Sequence, residues 1–228
     1  MPRLNRSNPL ALAVLISLME APMHPYQVAQ TLRSRAKEES VKLNFGSLYA
    51  VVESLERRGL IRPRETLREG RRPERTVYEI TDTGAREALD WLGELLSVPA
   101  KEYPQFMAGL SFMPALPPEE VLTALEYRAR AIEVRLAMLR ATARAAAEAG
   151  LPRLFSIEGE YEECLLSAEL GFVERTAKEI RDGSFEGIEL WRGFHADDET
   201  REHLLAEMGG ALPWDLPWDG GKEGPGAT

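Results

Sequence analysis

The 228-residue sequence predicts a mainly α-helical chain in which one two-stranded β-hairpin interrupts the helices. Four helical segments, three of them with recognisable caps, surround a short segment of alternating residue character. Five prolines then fall within residues 98–118, and after them apolar residues recur at alternating spacings of three and four from Leu122 to Ala146. The chain therefore divides into a helix-and-hairpin part and a long helical part.

The first two helices are short, and the first has a recognisable start. Asn8 and Pro9 begin an apolar helix, LALAVLISLME, which Pro22 ends. Residues 24–36 predict a second, amphipathic helix, whose apolar positions are Tyr26, Val28, Ala29 and Leu32.

The third helix has a clear start and a clear end. Asn44 is a good N-cap, and Gly59 stands where a left-handed residue would end the helix. Its buried face is predicted to comprise Leu48, Val51, Val52 and Leu55. Tyr49 falls toward the other face, so it either packs at the edge of this helix or points at a partner.

A hairpin and a fourth helix follow. Residues 60–68 and 75–80 read as two strands joined by an exposed turn. Thr81 or Thr83 caps a helix that runs to about Ser97. The apolar set of this helix is predicted to be Ala85, Leu89, Trp91, Leu92 and Leu95.

Two long helices are predicted beyond the prolines, one from Glu119 to the stop at Gly150 and one from about Ser156 to Arg181. Together they form an antiparallel helical hairpin, and two apolar seams favour a second copy of the chain as the cover. The alternative is a seam packed inside one chain. The predicted dimer contacts are Leu122, Leu125, Ile132, Leu136, Leu139, Leu166, Leu170 and Val173.

Four segments result from these patterns. They are a winged helix-turn-helix domain at 1–97, a Pro-rich hinge at 98–118 with a short helix at QFMAGLSFM, a helical dimerisation domain at 119–183, and an extension at 184–228. One more short helix is expected around Asp198 to Met208, and the last ten residues are expected to be disordered.

Charge is distributed unevenly along the chain. Residues 1–86 hold 15 Lys and Arg against 10 Asp and Glu, whereas residues 87–228 hold 13 against 27, which gives +5 followed by −14. This asymmetry favours a basic working surface at the N-terminal end. Neither a signal-peptide pattern nor a membrane-length apolar stretch is present, which predicts a cytoplasmic protein without a membrane partner.

No constellation of catalytic, metal-binding or cofactor-binding residues is visible. His24, His195 and His203 lie far apart in sequence and are expected in surface or capping roles. The single cysteine, Cys164, is expected at a helix interface, because the neighbouring Glu162 and Glu163 would raise a thiol pKa. The sequence therefore predicts neither an enzyme nor a metalloprotein.

Arginines concentrate around the hairpin, where residues 57–75 hold eight arginines, no lysine and three glutamates. Three helices and a two-stranded wing are the winged form of the helix-turn-helix, in which the third helix enters the major groove and the wing follows the backbone or minor groove. A solvated charged turn is the plainer interpretation. The predicted contacts to double-stranded DNA are Asn44, Ser47, Tyr49, Ala50, Glu53, Arg57, Arg71, Arg72 and Arg75.

Residues 8–92 resemble the PadR family of bacterial transcriptional regulators. The resemblance lies in the order and spacing of NPLALAVLISL, HPYQVAQTL, GSLYAVVESLERRGLI and YEITDTGAREALDWL. It implies that Tyr49 faces DNA, although a tyrosine packed against the second helix stays open. Glu53 departs from the family in charge; it would accept from a cytosine or pair with Arg57.

The family resemblance also implies a homodimer, a C-terminal helical dimerisation domain and a small hydrophobic effector. Trp91, Tyr103, Phe106 and Met107 are the candidate effector pocket, with inter-domain core as the alternative. The sequence thus predicts a repressor that binds a palindromic operator and is released by a small-molecule or stress signal. The competing class is a winged-helix adapter that binds protein and has no sequence-specific contact with DNA.

Overall fold

A computed structural model of the chain describes residues 8–67 and 75–207 and separates two units, Met1–Glu102 and Tyr103–Thr228. The first unit contains α1 (Pro9–Glu20), α2 (Pro25–Ser34), α3 (Phe45–Arg57), β1 (Ile61–Leu67), β2 (Arg75–Ile80) and α4 (Asp82–Ser97). The second contains α5 (Gln105–Ser111), α6 (Pro118–Glu148), α7 (Ile157–Asp182), α8 (Ile188–Phe194) and α9 (Asp198–Glu207). The predicted fold class is confirmed, while the finer segment boundaries stay predictions.

Side chains cap the helices of the first unit, as their sequences predict. The Asn44 side chain accepts from the backbone N–H of Ser47 at 2.7 Å, and Gly59 after α3 has a left-handed φ of 69°. Of the two candidate threonines it is Thr81 that caps α4, because its hydroxyl accepts from the N–H of Gly84 at 3.0 Å. His24 caps α2, accepting from the N–H of Tyr26 at 3.1 Å.

The predicted apolar face of α4 is wrong in part. Gly84, Ala88 and Trp91 are the residues that face the core, whereas Leu89, Leu92 and Leu95 are exposed. The small residues bring the α4 backbone close to the start of the wing, and a Cβ at Gly84 would collide with the carbonyl of Leu60. Because of this close approach, the side of α4 that carries Gly84, Ala88 and Trp91 is buried, and the neighbouring leucines face solvent.

The wing is fastened to the helices at its base. Tyr78 of β2 exchanges two backbone hydrogen bonds of 3.0 Å with Met23, in the turn between α1 and α2. Its hydroxyl also donates to a carboxylate oxygen of Glu56 in α3 at 3.2 Å. Burial raises the pKa of Tyr78, and the negative charge of Glu56 raises it further. The wing base is therefore held by both the turn and α3.

In the second unit, α6 and α7 form the predicted antiparallel hairpin. Arg128 pairs with Glu169, Arg135 with Glu162 at 2.8 Å, and Glu126 with Arg181 at 2.6 Å. As the residue number rises along α6, the number of the paired residue on α7 falls, so the two helices are antiparallel.

The apolar seam of this hairpin packs inside one chain at four of the eight predicted dimer contacts, and those four need correction. Leu125, Ile132, Leu136 and Val173 are buried by the packing of α6 on α7, and Leu122, Leu139, Leu166 and Leu170 are half-buried. A heptad pattern specifies that a helix has a partner but not which chain supplies it. For the four buried residues the same chain supplies it, while the four half-buried residues stay predicted dimer contacts. Cys164, which is expected at a helix interface, is exposed on α7.

Two short helices follow α7. Of these, α9 falls where the sequence predicts it, whereas α8 was not predicted. Trp191 of α8 is buried, and its indole N–H donates to the carbonyl of Leu116 at 2.8 Å. This bond ties α8 to the loop before α6. The predicted disorder of the last ten residues lies outside the described part of the chain.

Candidate nucleic-acid interface

The third helix, α3, has one apolar face and one polar face. Leu48, Val51, Val52 and Leu55 are buried in the first unit. Ala50, Glu53 and Arg57 are exposed on the opposite side, and Ser47 is half-exposed beside them. The structure thus brings together the predicted DNA contacts of this helix on one continuous surface, with the Asn44 cap at its start.

Tyr49 occupies the edge of that surface. Its side chain is 43% exposed, and its ring lies edge-on to the ring of His24, with 6.5 Å between the centroids and 69° between the planes. Tyr49 therefore touches the start of α2 and still presents surface to solvent. The contact with His24 agrees with a packing role for Tyr49, and its exposed surface agrees with a contact to DNA.

Glu53 and Arg57 do not form the ion pair that their spacing allows. The Nε of Arg57 donates instead to the backbone carbonyl of Glu53 at 3.4 Å. Within the described residues, the carboxylate of Glu53 has no ion-pair partner. The exposed face of α3 therefore carries one carboxylate and one guanidinium that are not paired with each other.

Sequence reasoning missed an exposed aromatic pair beside α3. Phe45, the first residue of α3, stacks on Tyr26 of α2 with ring centroids 6.0 Å apart and 11° between the planes. The guanidinium of Arg33 lies 4.8 Å from the centre of the Phe45 ring. The signal for this pair was available, since Phe45 directly follows the Asn44 cap and extends the three-and-four spacing of the buried residues by one position, into the first turn of α3.

A cleft of about 410 Å³ lies along the other flank of α3, next to the beginning of α1. Its walls are mostly small or polar, and they comprise Asn8, Ala11, Ser47, Ala50, Val51, Ser54, Leu55 and Arg58. The polar face of α3 is consequently exposed to solvent along the flank next to α1 as well as on its outward surface.

The arginines of the wing are only partly described. Arg62 pairs with Glu79 on the neighbouring strand at 2.7 Å, and Arg64 lies 3.8 Å from the same carboxyl group. Arg71 and Arg72 lie outside the described residues, as does the side chain of Arg75. Part of the positive charge near the wing base is thus balanced within the wing itself.

The four candidate effector residues are divided between the two units. Trp91 is fully buried in the core of the first unit, so a ligand would reach its ring only if that core opened. In the second unit, Phe106 lies under the guanidinium of Arg128 and edge-on to Phe172, with 3.8 Å and 6.4 Å to the respective centres. Tyr103 and Met107 are exposed.

The three histidines have the capping or surface roles expected of them. His24 caps α2, as described above. His195 lies 2.9 Å from the carbonyl of Pro114, and His203 lies 3.3 Å from Glu207 one turn along α9. Over residues 8–67 and 75–207, histidine, cysteine and carboxylate side chains nowhere gather into a group that could hold a metal ion. None of the helices described is long and apolar enough to cross a membrane.

Residues 14–90 match the family model described as the Transcriptional regulator PadR-like family. No curated protein matches the chain. Among solved structures, the fold is similar to Bacillus subtilis PadR in complex with operator DNA, with a TM-score of 0.62 and 18% identity over 76% of this chain and 99% of that one.

Two further structures are similar to this chain. A PadR-like transcriptional regulator from Bacillus cereus has a TM-score of 0.53 and 18% identity over 76% of this chain and 99% of its own. Bacillus subtilis PadR in complex with p-coumaric acid has a TM-score of 0.51 and 16% identity over 72% of this chain and 98% of its own. The resemblance seen in the sequence is confirmed, since residues 14–90 match the model of the PadR-like family of transcriptional regulators.

Proposed function

We propose that this chain is a cytoplasmic DNA-binding repressor that binds a palindromic operator as a homodimer and is released by a small-molecule or stress signal. The observation that carries the proposal is the exposed polar face of α3, which stands on a buried apolar face within a winged-helix fold. In this fold the third helix enters the major groove, so Ser47, Ala50, Glu53 and Arg57 would approach base edges and Tyr49 the groove wall.

The wing supplies contacts that do not depend on sequence. Arg71, Arg72 and Arg75 would bind phosphates or enter the minor groove, since guanidinium groups suit both. The anchoring of Tyr78 to Met23 and Glu56 supports this role, because it fixes the base of the wing relative to α3.

The matching family model describes transcriptional regulators, which favours a regulator over an enzyme for this chain.

A second apolar stripe on α6 supports the homodimer and replaces the buried part of the seam as its contact. Tyr127, Val134 and Met138 are 71%, 61% and 57% exposed. Ala131 and Ala141 complete the alternating spacing of four and three, so this stripe has the heptad pattern of a helix that packs on another helix. Because α7 already covers the opposite side of α6, a second copy is the occupant we propose for the stripe.

A flat hydrophobic molecule is the proposed effector class. Two observations favour it: the similarity in fold to a regulator solved with p-coumaric acid, and the exposed Tyr103 and Met107 near Phe106 in the second unit.

A winged-helix adapter that binds only protein is the competing function. The exposed Tyr26 and Phe45 favour it, since aromatic surface is common at protein interfaces.

The test is a capture of genomic DNA fragments by the purified chain, followed by sequencing and by titration of a recovered fragment at several salt concentrations. A regulator enriches a palindromic site and binds it with steep salt dependence. The double variant Arg71→Ala with Arg72→Ala should bind all DNA more weakly and flatten the plot of log affinity against log salt by up to about two units.

The matched control is Arg130→Ala with Arg144→Ala, which removes two exposed arginines from α6. This control should leave the salt slope unchanged. A chain that enriches no sequence and binds DNA without salt dependence would instead be the adapter.

A further inference from the structure

Glu53 presents an electrostatic problem on the surface proposed to meet DNA. Its carboxylate is exposed on the outward face of α3, and no described residue forms an ion pair with it. A free carboxylate that approaches a polyanion is repelled by the phosphates. Its presence at the centre of this face therefore calls for a favourable contact that a neutral side chain would not make.

The Glu53 side chain is exposed, and its negative charge contributes to raising the pKa of the Tyr78 hydroxyl at the base of the wing. Tyr49, Glu53 and Arg57 are spaced by four residues and form one line along α3, and the small side chain of Ala50 lies beside this line. Arg57 is turned back onto the backbone carbonyl of Glu53 rather than onto its carboxylate. With a rise of about 1.5 Å per residue, Glu53 and Arg57 are about 6 Å apart along the axis, roughly two base-pair steps.

The chemistry of the major groove identifies one base as the partner of a carboxylate. Cytosine presents an amino donor there, guanine presents two acceptors, and thymine presents an acceptor and a methyl group. Adenine presents a donor beside an acceptor, so it fits an amide better than a carboxylate. We infer that Glu53 reads a cytosine in each half of the operator and discriminates against the other bases at that position.

This inference rests on the proposed DNA-binding function and adds a base identity to it. The competing account is that Glu53 is a solvated residue which the interface tolerates. Both accounts expect that removing the charge strengthens binding to arbitrary DNA, because repulsion from the phosphates disappears. Only base reading expects that the preferred base changes.

The variant Glu53→Gln separates these accounts, because it keeps the size of the side chain and replaces the carboxylate with an amide. A glutamine reads adenine through its N6 and N7 atoms. The experiment selects binding sites from randomised duplex DNA with the wild-type chain and with Glu53→Gln, and then titrates single-base variants of the selected site. Asp90→Asn, at an exposed position of α4, is the control with the same loss of charge.

The wild-type chain should select cytosine at one symmetric pair of positions, and a change of that cytosine should weaken binding about ten-fold. Glu53→Gln should select adenine there and keep its preferences elsewhere, while Asp90→Asn should keep the wild-type preference. If Glu53→Gln binds every site more tightly and selects the wild-type bases, the cytosine contact is refuted and DNA binding stands. A wild-type chain without any sequence preference would refute the proposed function and this inference together.

Discussion

Replacement of Ile132 by alanine tests whether the seam of the second unit lies inside one chain. Ile132 is 6% exposed, and the pairs Arg128–Glu169 and Arg135–Glu162 bracket it, so it faces α7 near Leu166. The substitution deletes an ethyl and a methyl group, which contribute roughly 2.5 kcal/mol of burial free energy, and the residual cavity adds to this loss. We expect the free energy of unfolding of the second unit to fall by about 3 to 4 kcal/mol.

Urea unfolding followed by far-UV circular dichroism measures this loss, since α6 and α7 contribute much of the helical signal. Val134→Asp is the companion variant, because Val134 is on the exposed stripe of α6 and its change leaves the packing of α6 on α7 intact. At protein concentrations where the chain is monomeric, its unfolding should therefore match that of the wild-type chain. Light scattering should instead show that Val134→Asp weakens the dimer. The reasoning fails if Ile132→Ala unfolds like the wild-type chain and only the dimer dissociates, because the seam would then join two chains.

Three further predictions concern separate features. Tyr49→Phe should weaken operator binding by about 1 kcal/mol with little change in melting temperature, and a lower melting temperature with unchanged affinity would return Tyr49 to a packing role. A double-mutant cycle of Tyr26→Ala and Phe45→Ala should show a coupling of about 0.5 to 1.5 kcal/mol in thermal stability, whereas additive losses would mean that the stack contributes nothing. Hydrogen bonds from Lys178 and then Ser184 lower the pKa of Asp182 from 3.8 to about 2, so its ionised form stabilises the fold above pH 3.8 and this contribution is lost as the pH falls toward 2. The melting-temperature difference between the wild-type chain and Asp182→Asn should accordingly shrink between about pH 5 and pH 2, and a constant difference would exclude this role.

The parts of the fold that local residues determine could be predicted from the sequence. Asn44 and Gly59 set the ends of α3 through backbone groups within one turn of each, so no knowledge of distant residues was needed. The packing partners could not be predicted in the same way. The spacing of Leu125, Ile132 and Leu136 is the same whether their partner is α7 or a second chain.

The candidate site shows the same division between local and tertiary information. That Ala50, Glu53 and Arg57 share the outward face follows from helical periodicity alone. The bond from Arg57 to a backbone carbonyl and the stacking of Phe45 on Tyr26 depend on rotamers and on the angle between α2 and α3. Those are tertiary properties that periodicity does not contain.

The attachment of Tyr78 to Met23 and Glu56 has a consequence for how such a protein can diverge. The bonds that hold the wing base use backbone groups and the side chains of Tyr78 and Glu56, so they do not involve Ala50 or Arg57. Gene duplicates can therefore exchange these outward residues and acquire new target sequences while the relative orientation of helix and hairpin is inherited unchanged. Mutations of the outward residues of α3 would change which DNA sequence is bound, whereas mutations that disrupt the pairing of Met23 with Tyr78 would destabilise the fold.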